Sequence, residues 1–336
     1  MAMPKRHRSA RAAALRSVNV RKAAGFALCA GVAVAAAVVA LADPARRTAT
    51  SARAHADLAR PAKDPAPRAR SSWLLGRGGP ISFQTRACVA FAPVARWNGR
   101  TVFLDPGHGG FDPGTLATVS GDAVAEKRVT LAVGLRALAL LRDAGFRVVM
   151  SRVRDSTVAR LGPGDVSGRL LTAAGARRDI AARNLCANAA GASVLLGVHM
   201  NAFGDPSVAG AETIYCPARR FSGRSRHLAV IVQRALLTSL RRAGWRVPDR
   251  SVLSDRAAGT PALSAQGAAY GHLLELGPAD PPWFRYPSLM AGVIAEPLFL
   301  TNPAEARVAL GASGQLAIAR GLVRALETYF GLRGVR

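Results

Sequence analysis

The chain of 336 residues carries a formal charge of +26 and is half hydrophobic, which excludes an acidic disordered protein and leaves room for one large domain or two modest ones. Its four cysteines, Cys29, Cys88, Cys186 and Cys216, include no C-x-x-C pair, so neither a disulfide scaffold nor a cysteine-ligated zinc is expected, and a metal would fall to His and carboxylates. All but four of the 46 cations are arginine in an Ala- and Gly-rich chain, a compositional bias that discounts the charge as a sign of nucleic-acid binding.

The first 70 residues hold 14 of the cations against three Asp, so much of the basic character belongs to the N-terminal tail. Lys5, Arg6, Arg8, Arg11, Arg16, Arg21 and Lys22 precede an uncharged run at 23–42, long enough as a helix to cross a hydrocarbon core of ~30 Å. The run ends Ala40-Leu41-Ala42, a pattern that suits signal peptidase. As a cleaved signal or an uncleaved anchor, 1–42 exports the remainder of the chain. Residues 43–70 are Ala, Arg, Pro, Ser and Thr with almost no large apolar side chain, the composition of a tether. In 71–97 Trp73, Leu74, Leu75, Ile81, Phe83, Val89 and Phe91 are enough for a short packed extension, but Gly and Pro interrupt them and the stretch stays unassigned. The expected organisation is therefore 1–42, a tether and extension at 43–97, and a single domain at 98–332.

Residues 101–104 read as a buried strand that stops at Asp105-Pro-Gly-His-Gly-Gly110, placing His108 at the strand's carboxyl end. A helical pattern at 123–144 has Glu126 in its first turn, and 146–150 forms the next strand of a β-α-β unit. A helix at 176–190 leads into a strand at 193–198 that delivers His199. Alternation at 211–216, a helix at 224–242 and an apolar strand at 292–295 ending on Glu296 complete the pattern. This predicts an α/β domain, with a mixed, mostly parallel sheet flanked by helices on both faces. Ligands of such sheets bind beyond the carboxyl ends of strands, where His108, His199 and Glu296 fall.

Two histidines and a carboxylate suit a catalytic zinc, since three protein ligands leave one position open. Glu126, at a helix start beside the His108 loop, is the natural third ligand. No G-x-S-x-G elbow, phosphate-binding loop, H-E-x-x-H or complete G-x-G-x-x-G is present. Among the cysteines, Cys186 with Cys216 is the pair to consider for a disulfide in an oxidising compartment. His7, His55, His227 and His272 read as tail, surface or core residues.

Asp105-Pro-Gly-His-Gly-Gly-Phe-Asp-Pro-Gly114, Glu126-Lys127, Ser151-Arg152, Arg183, Asn188, Val198-His-Met-Asn-Ala202, Gly210-Ala-Glu-Thr-Ile-Tyr215 and Glu296-Pro-Leu-Phe-Leu-Thr-Asn302 occur in one order over about 98–332. Together they resemble the zinc-dependent N-acetylmuramoyl-L-alanine amidases of the Amidase_3 type. The resemblance implies Zn2+ held by His108, Glu126 and His199, and Glu296 as the catalytic glutamate that takes a proton from water and returns one to the leaving amine. It further implies peptidoglycan as substrate, cut between the lactyl group of N-acetylmuramic acid and the first L-alanine, in the cell envelope. A glycine of the family's pattern is Leu298 here, and Pro297 precedes it. Leu273-Leu-Glu-Leu-Gly277 also reads as an apolar strand ending in E-x-G, so Glu275 rivals Glu296; the Phe299, Thr301, Asn302 and Glu305 spacing favours Glu296.

Read as an enzyme, the chain is a monomer whose basic charge would draw it to anionic wall polymers or the membrane surface, with no nucleic-acid partner. The competing reading is a non-catalytic peptidoglycan-binding or regulatory module on the same fold. The long Gly- and Pro-rich stretch at 153–178 reads either as a lid or specificity loop or as an inert insertion.

Overall fold

The structure, a computed structural model, describes residues 80–258 and 265–332. The apolar run at 23–42 and the tether lie outside the described residues, and no helix among the described residues is long and apolar enough to cross a membrane.

In chain order the strands are β1 (Ala87–Phe91), β2 (Thr101–Pro106), β3 (Leu116–Val119), β4 (Asp122–Ala125), β5 (Arg147–Arg152), β6 (Val166–Ser167), β7 (Leu170–Leu171), β8 (Val194–Val198), β9 (Ala211–Tyr215), β10 (Asp249–Ser254) and β11 (Ala291–Glu296). The helices are α1 (Glu126–Asp143), α2 (Ala173–Ala189), α3 (Ser222–Arg242), α4 (Ala265–Tyr270), α5 (Pro303–Leu310) and α6 (Ala312–Tyr329). Seven strands form one sheet in the order β1-β5-β2-β8-β11-β9-β10, while β3-β4 and β6-β7 are separate hairpins. The central four, β5, β2, β8 and β11, are parallel. At one side β1 is antiparallel to β5, and at the other β9 and β10, parallel to each other, run antiparallel to β11. The predicted mixed, mostly parallel sheet is therefore present.

Strand periodicity divides the core between two faces. Val102, Leu104, Val148, Met150, Val194, Leu196, Val293 and Ala295 pack on one side with α1, α3 and α6. The residues between them, Phe103, Val149, Leu195 and Ile294, pack on the other with Cys186 and Ala187 of α2. Burial on both faces explains why β2 and β8 read as continuous apolar runs, each large side chain contributing about 1.5–3 kcal/mol.

Several expectations are corrected. The disulfide joins Cys186 to Cys88, with S–S 2.06 Å and Cα atoms 5.6 Å apart, while Cys216 is a free buried thiol. Position in the sheet is the reason: β1 lies beside β5, so Cys88 faces α2, and Cys216 follows β9 beyond β11. The unassigned stretch before residue 98 contributes β1 and the buried side chains of Ile81, Val89 and Phe91. Residues 273–277 are a turn rather than a strand, because Leu276 N and Gly277 N both bond back to Leu273 O at 3.0 and 2.7 Å.

Candidate metal centre

His108, Glu126 and His199 meet at the carboxyl edge of the central strands. Register brings them together across 91 residues: Pro106 lies opposite Val198 in the β2–β8 pair, and Gly107 N donates to Val198 O at 2.9 Å. The first residues beyond the two strand ends then turn toward each other. Glu126 is the first residue of α1; its backbone N donates to Thr115 O at 2.9 Å, so the β3–β4 hairpin sets where the helix begins.

The donor atoms form a tight triangle. His108 Nε2 is 3.1 Å from Glu126 Oε2, His199 Nδ1 is 3.2 Å from Glu126 Oε1, and the two ring nitrogens are 3.1 Å apart. Ligand pairs on a tetrahedral zinc with bonds of roughly 2.0–2.1 Å are separated by roughly 3.3 Å, so the spacing fits such an ion. Two glycines leave the space: a Cβ on Gly107 would lie 2.2 Å from the His199 ring, and one on Gly114 would lie 2.6 Å from Glu126 Oε2. Gly114 also takes a φ of +66°, and His108 itself holds a left-handed φ of +63°, a local strain that the surrounding contacts must offset.

Those contacts are cationic side chains on the loop's carbonyls. Arg152, fully buried, donates to Pro106 O at 2.9 Å and Gly107 O at 2.9 Å, and Thr130 Oγ1 donates to Gly107 O at 2.8 Å. Arg183 of α2 donates to His108 O at 2.8 Å while paired with Asp105 at 2.6 Å and Asp179 at 2.9 Å. Asp179 Oδ1 in turn accepts from the backbone N–H groups of Val158 and Ala159 at 2.6 and 2.8 Å, which fixes the start of the 153–178 stretch against the same network. Within that stretch, β6 and β7 form a hairpin, and Leu171 N donates to Phe111 O at 3.2 Å, three residues beyond His108.

Asp112 is a site residue that reading the motifs did not single out. Its Oδ2 lies 2.8 Å from His108 Nδ1, the arrangement that fixes a ligand histidine's tautomer and leaves Nε2 free to bind. The signal was the i, i+4 spacing inside the glycine-rich loop. The two carboxylates favour positive charge here: burial opposes protonation of His108, yet Glu126 and Asp112 hold its imidazolium up to about 10, a proton that a metal ion at Nε2 would replace. Glu126, despite burial, is kept well below the ordinary carboxylate range by His108 and His199. The pocket favours a positive charge at its centre.

Glu296 ends β11, paired in register with Glu212. Burial, then the Glu126 and Glu212 carboxylates, push it well above the ordinary range, and its Oε2 has no hydrogen-bond partner among the described residues. Glu212 is held by Asn201 Nδ2 at 2.6 Å and Arg250 Nε at 2.8 Å. Leu298, where the resemblance leads one to expect glycine, is fully buried in the α1-side core, and its carbonyl accepts from Asn201 N at 2.9 Å. Glu275 is buried beside Asp105, and a Cβ on Gly197 would lie 3.4 Å from its Oε1.

Comparison with known proteins gives the same picture. The chain is 32% identical over 118 residues to the germination-specific N-acetylmuramoyl-L-alanine amidase of Bacillus subtilis (strain 168), a match covering 35% of this chain and 46% of that protein, so it spans less than half the relative's length. It is 24% identical over 246 residues to the N-acetylmuramoyl-L-alanine amidase AmiA of Salmonella typhimurium, covering 69% of this chain and 76% of that protein. The fold matches the crystal structure of N-acetylmuramoyl-L-alanine amidase from Clostridium difficile 630 with a TM-score of 0.50 and 24% identity, covering 70% of this chain and all of that one. Since the family model described as N-acetylmuramoyl-L-alanine amidase matches residues 102–328, a span running from β2 into α6 that includes every donor of the triangle, the chain belongs to the Amidase_3 family.

Proposed function

We propose that this protein is a zinc-dependent N-acetylmuramoyl-L-alanine amidase of the cell envelope, cleaving the amide bond between N-acetylmuramic acid and L-alanine in peptidoglycan. The observation that carries the reading is the convergence of His108 Nε2, His199 Nδ1 and Glu126 at one sheet edge with Glu296 ending a strand of the same edge. A zinc ion bound there supplies Lewis acidity for the amide carbonyl and lowers the pKa of a water.

The remaining work belongs to the chain's own side chains. Asp112 holds the His108 proton at Nδ1 and so presents the Nε2 lone pair. Arg152 and Arg183 keep the loop carbonyls in place, so the donor triangle needs no reorganisation. Glu296, with its proton affinity raised by burial and by Glu126 and Glu212, accepts a proton from water and delivers one to the leaving amine nitrogen. The basic N-terminal tail suits an exported protein working near anionic wall polymers and membrane.

The test uses the full chain on isolated peptidoglycan, before and after chelation and zinc return, with new alanine amines scored separately from reducing sugar ends. Amines that vanish on chelation and return with zinc are expected. Reducing ends instead of amines, or no release by folded, zinc-loaded protein, would overturn the proposal.

A further inference from the structure

A second group of donors converges at the opposite end of the sheet. Strand β9 runs antiparallel to β11, so from Glu212, opposite Glu296, it carries the chain four residues away, about 13 Å, to Cys216. Its parallel neighbour β10 ends beside it: Ser254 pairs with Tyr215, and Asp255 N donates to Tyr215 O at 2.9 Å. His272, in the turn after α4, closes the group. Cys216, Asp255 and His272 are 2%, 1% and 8% exposed.

We infer that Cys216, Asp255 and His272 form a second, buried transition-metal site of the zinc class, separate from the centre at the other end of the sheet. Cys216 Sγ lies 3.5 Å from His272 Nδ1, and Asp255 Oδ2 lies 3.0 Å from the same nitrogen. Tetrahedral zinc with Zn–S of roughly 2.3 Å and Zn–N of roughly 2.0 Å sets sulfur and nitrogen roughly 3.5 Å apart. The triangle is the counterpart of the one formed by His108, Glu126 and His199, and thiolate, imidazole and carboxylate together select zinc over magnesium or calcium.

A second observation points the same way. Asp255 Oδ1 is buried with no hydrogen-bond partner among the described residues, which is costly for a carboxylate and is relieved by a cation bound beside it. Without a cation the thiol keeps its proton, since burial and the Asp255 carboxylate hold Cys216 up to about 12. Binding then replaces the Sγ–H bond with a metal–sulfur bond and releases that proton to solvent. With Nδ1 bound to the ion, the neutral His272 ring would carry its N–H at Nε2, and Arg256, an exposed side chain now 3.2 Å from Nε2, would turn away from it. The ion would tie the ends of β9 and β10 to the turn that carries Glu275. Cysteine ligation, unexpected from spacing alone, arises here from three distant segments.

The test is metal content and Co2+ absorption of the full chain. Two ions per chain are expected at saturation, with a thiolate-to-cobalt charge-transfer band. Cys216→Ser should lose the band and one ion while keeping its amidase activity. Cys29→Ser should keep the band. His199→Ala should lose one ion and keep the band, so failure of the proposed amidase centre would not hide this site. Wild-type protein, folded and saturated, that shows no thiolate band would overturn the inference and leave a metal-free hydrogen-bonded cluster.

Discussion

The two ends of the sheet use the same device under different exposure. At the carboxyl edge of β2, β8 and β11 the His108 and His199 side chains remain 22% and 18% exposed, so an ion held there can be reached by a substrate. At the far edge Cys216, Asp255 and His272 are sealed, and anything bound among them can only brace the fold. Convergence of donors alone does not distinguish chemistry from architecture; access does. Changes at the open edge should therefore move activity and leave stability, whereas changes in the buried layer should move stability, and activity only where a buried group also holds the open edge in place.

Glu296→Gln gives the sharpest form of that contrast. Its expected effect is a fall in kcat of about 10²–10⁴ with metal content unchanged and the unfolding midpoint not lowered, while Glu275→Gln in the same assay stays within about tenfold of wild type. The reverse ranking, read from amine release, would move the base to Glu275 and break the comparison. Next in size is Arg183→Met, which strands Asp105 and Asp179 as buried carboxylates without their cation. A loss of about 3–5 kcal/mol in urea unfolding is expected, together with lost activity because the His108 carbonyl loses its donor. An unchanged midpoint would show that the network beneath the open edge carries no stability.

The smallest effect concerns pH. Burial, and then the Asp105 carboxylate, raise Glu275 well above the ordinary glutamate range, while Arg183 keeps Asp105 low despite burial. A folded-state pKa above the unfolded value means that the native state binds the extra proton. The contribution is full below the unfolded value of ~4.3 and is lost as pH rises toward the native one. Glu275→Gln should flatten the decline of urea midpoint as pH rises above about 4; parallel curves for the two proteins would exclude a protonated Glu275.

Sequence patterns reached the elements that are buried on both faces. Apolar runs at 101–104, 193–198 and 292–295 are β2, β8 and β11, and the turn residues after them marked His108 and His199 as strand-end groups. Two strands escaped for different reasons: β10, Asp249–Ser254, is exposed or half-buried throughout, and β1, although apolar, lies among Gly and Pro with Cys88 at a φ of +54°. Helix α1 starts three residues after the helical pattern at 123–144 does, because 122–125 belong to β4. Helices α5 and α6 were not read, although Asn302 caps α5 through Ala304 N and Glu305 N and is followed by proline, an ordinary start signal. The disulfide and the contact of Asp112 with His108 emerge only in the folded chain, because pairing depends on strand order and orientation on a short local contact.

Strand β11 is the last strand of the sheet in the sequence but sits inside it, between β8 and β9. During synthesis, residues up to 254 supply both histidines and Glu126, yet β8 lacks its second neighbour and β9 and β10 have no link to the rest of the sheet. Only when residues 291–296 have emerged can the two parts join, and the same six residues bring Glu296. Late insertion of a central strand is slow because it closes long-range contacts. A growing chain therefore carries all three donors before it carries Glu296, and the carboxylate at the open edge arrives with the strand that completes the sheet.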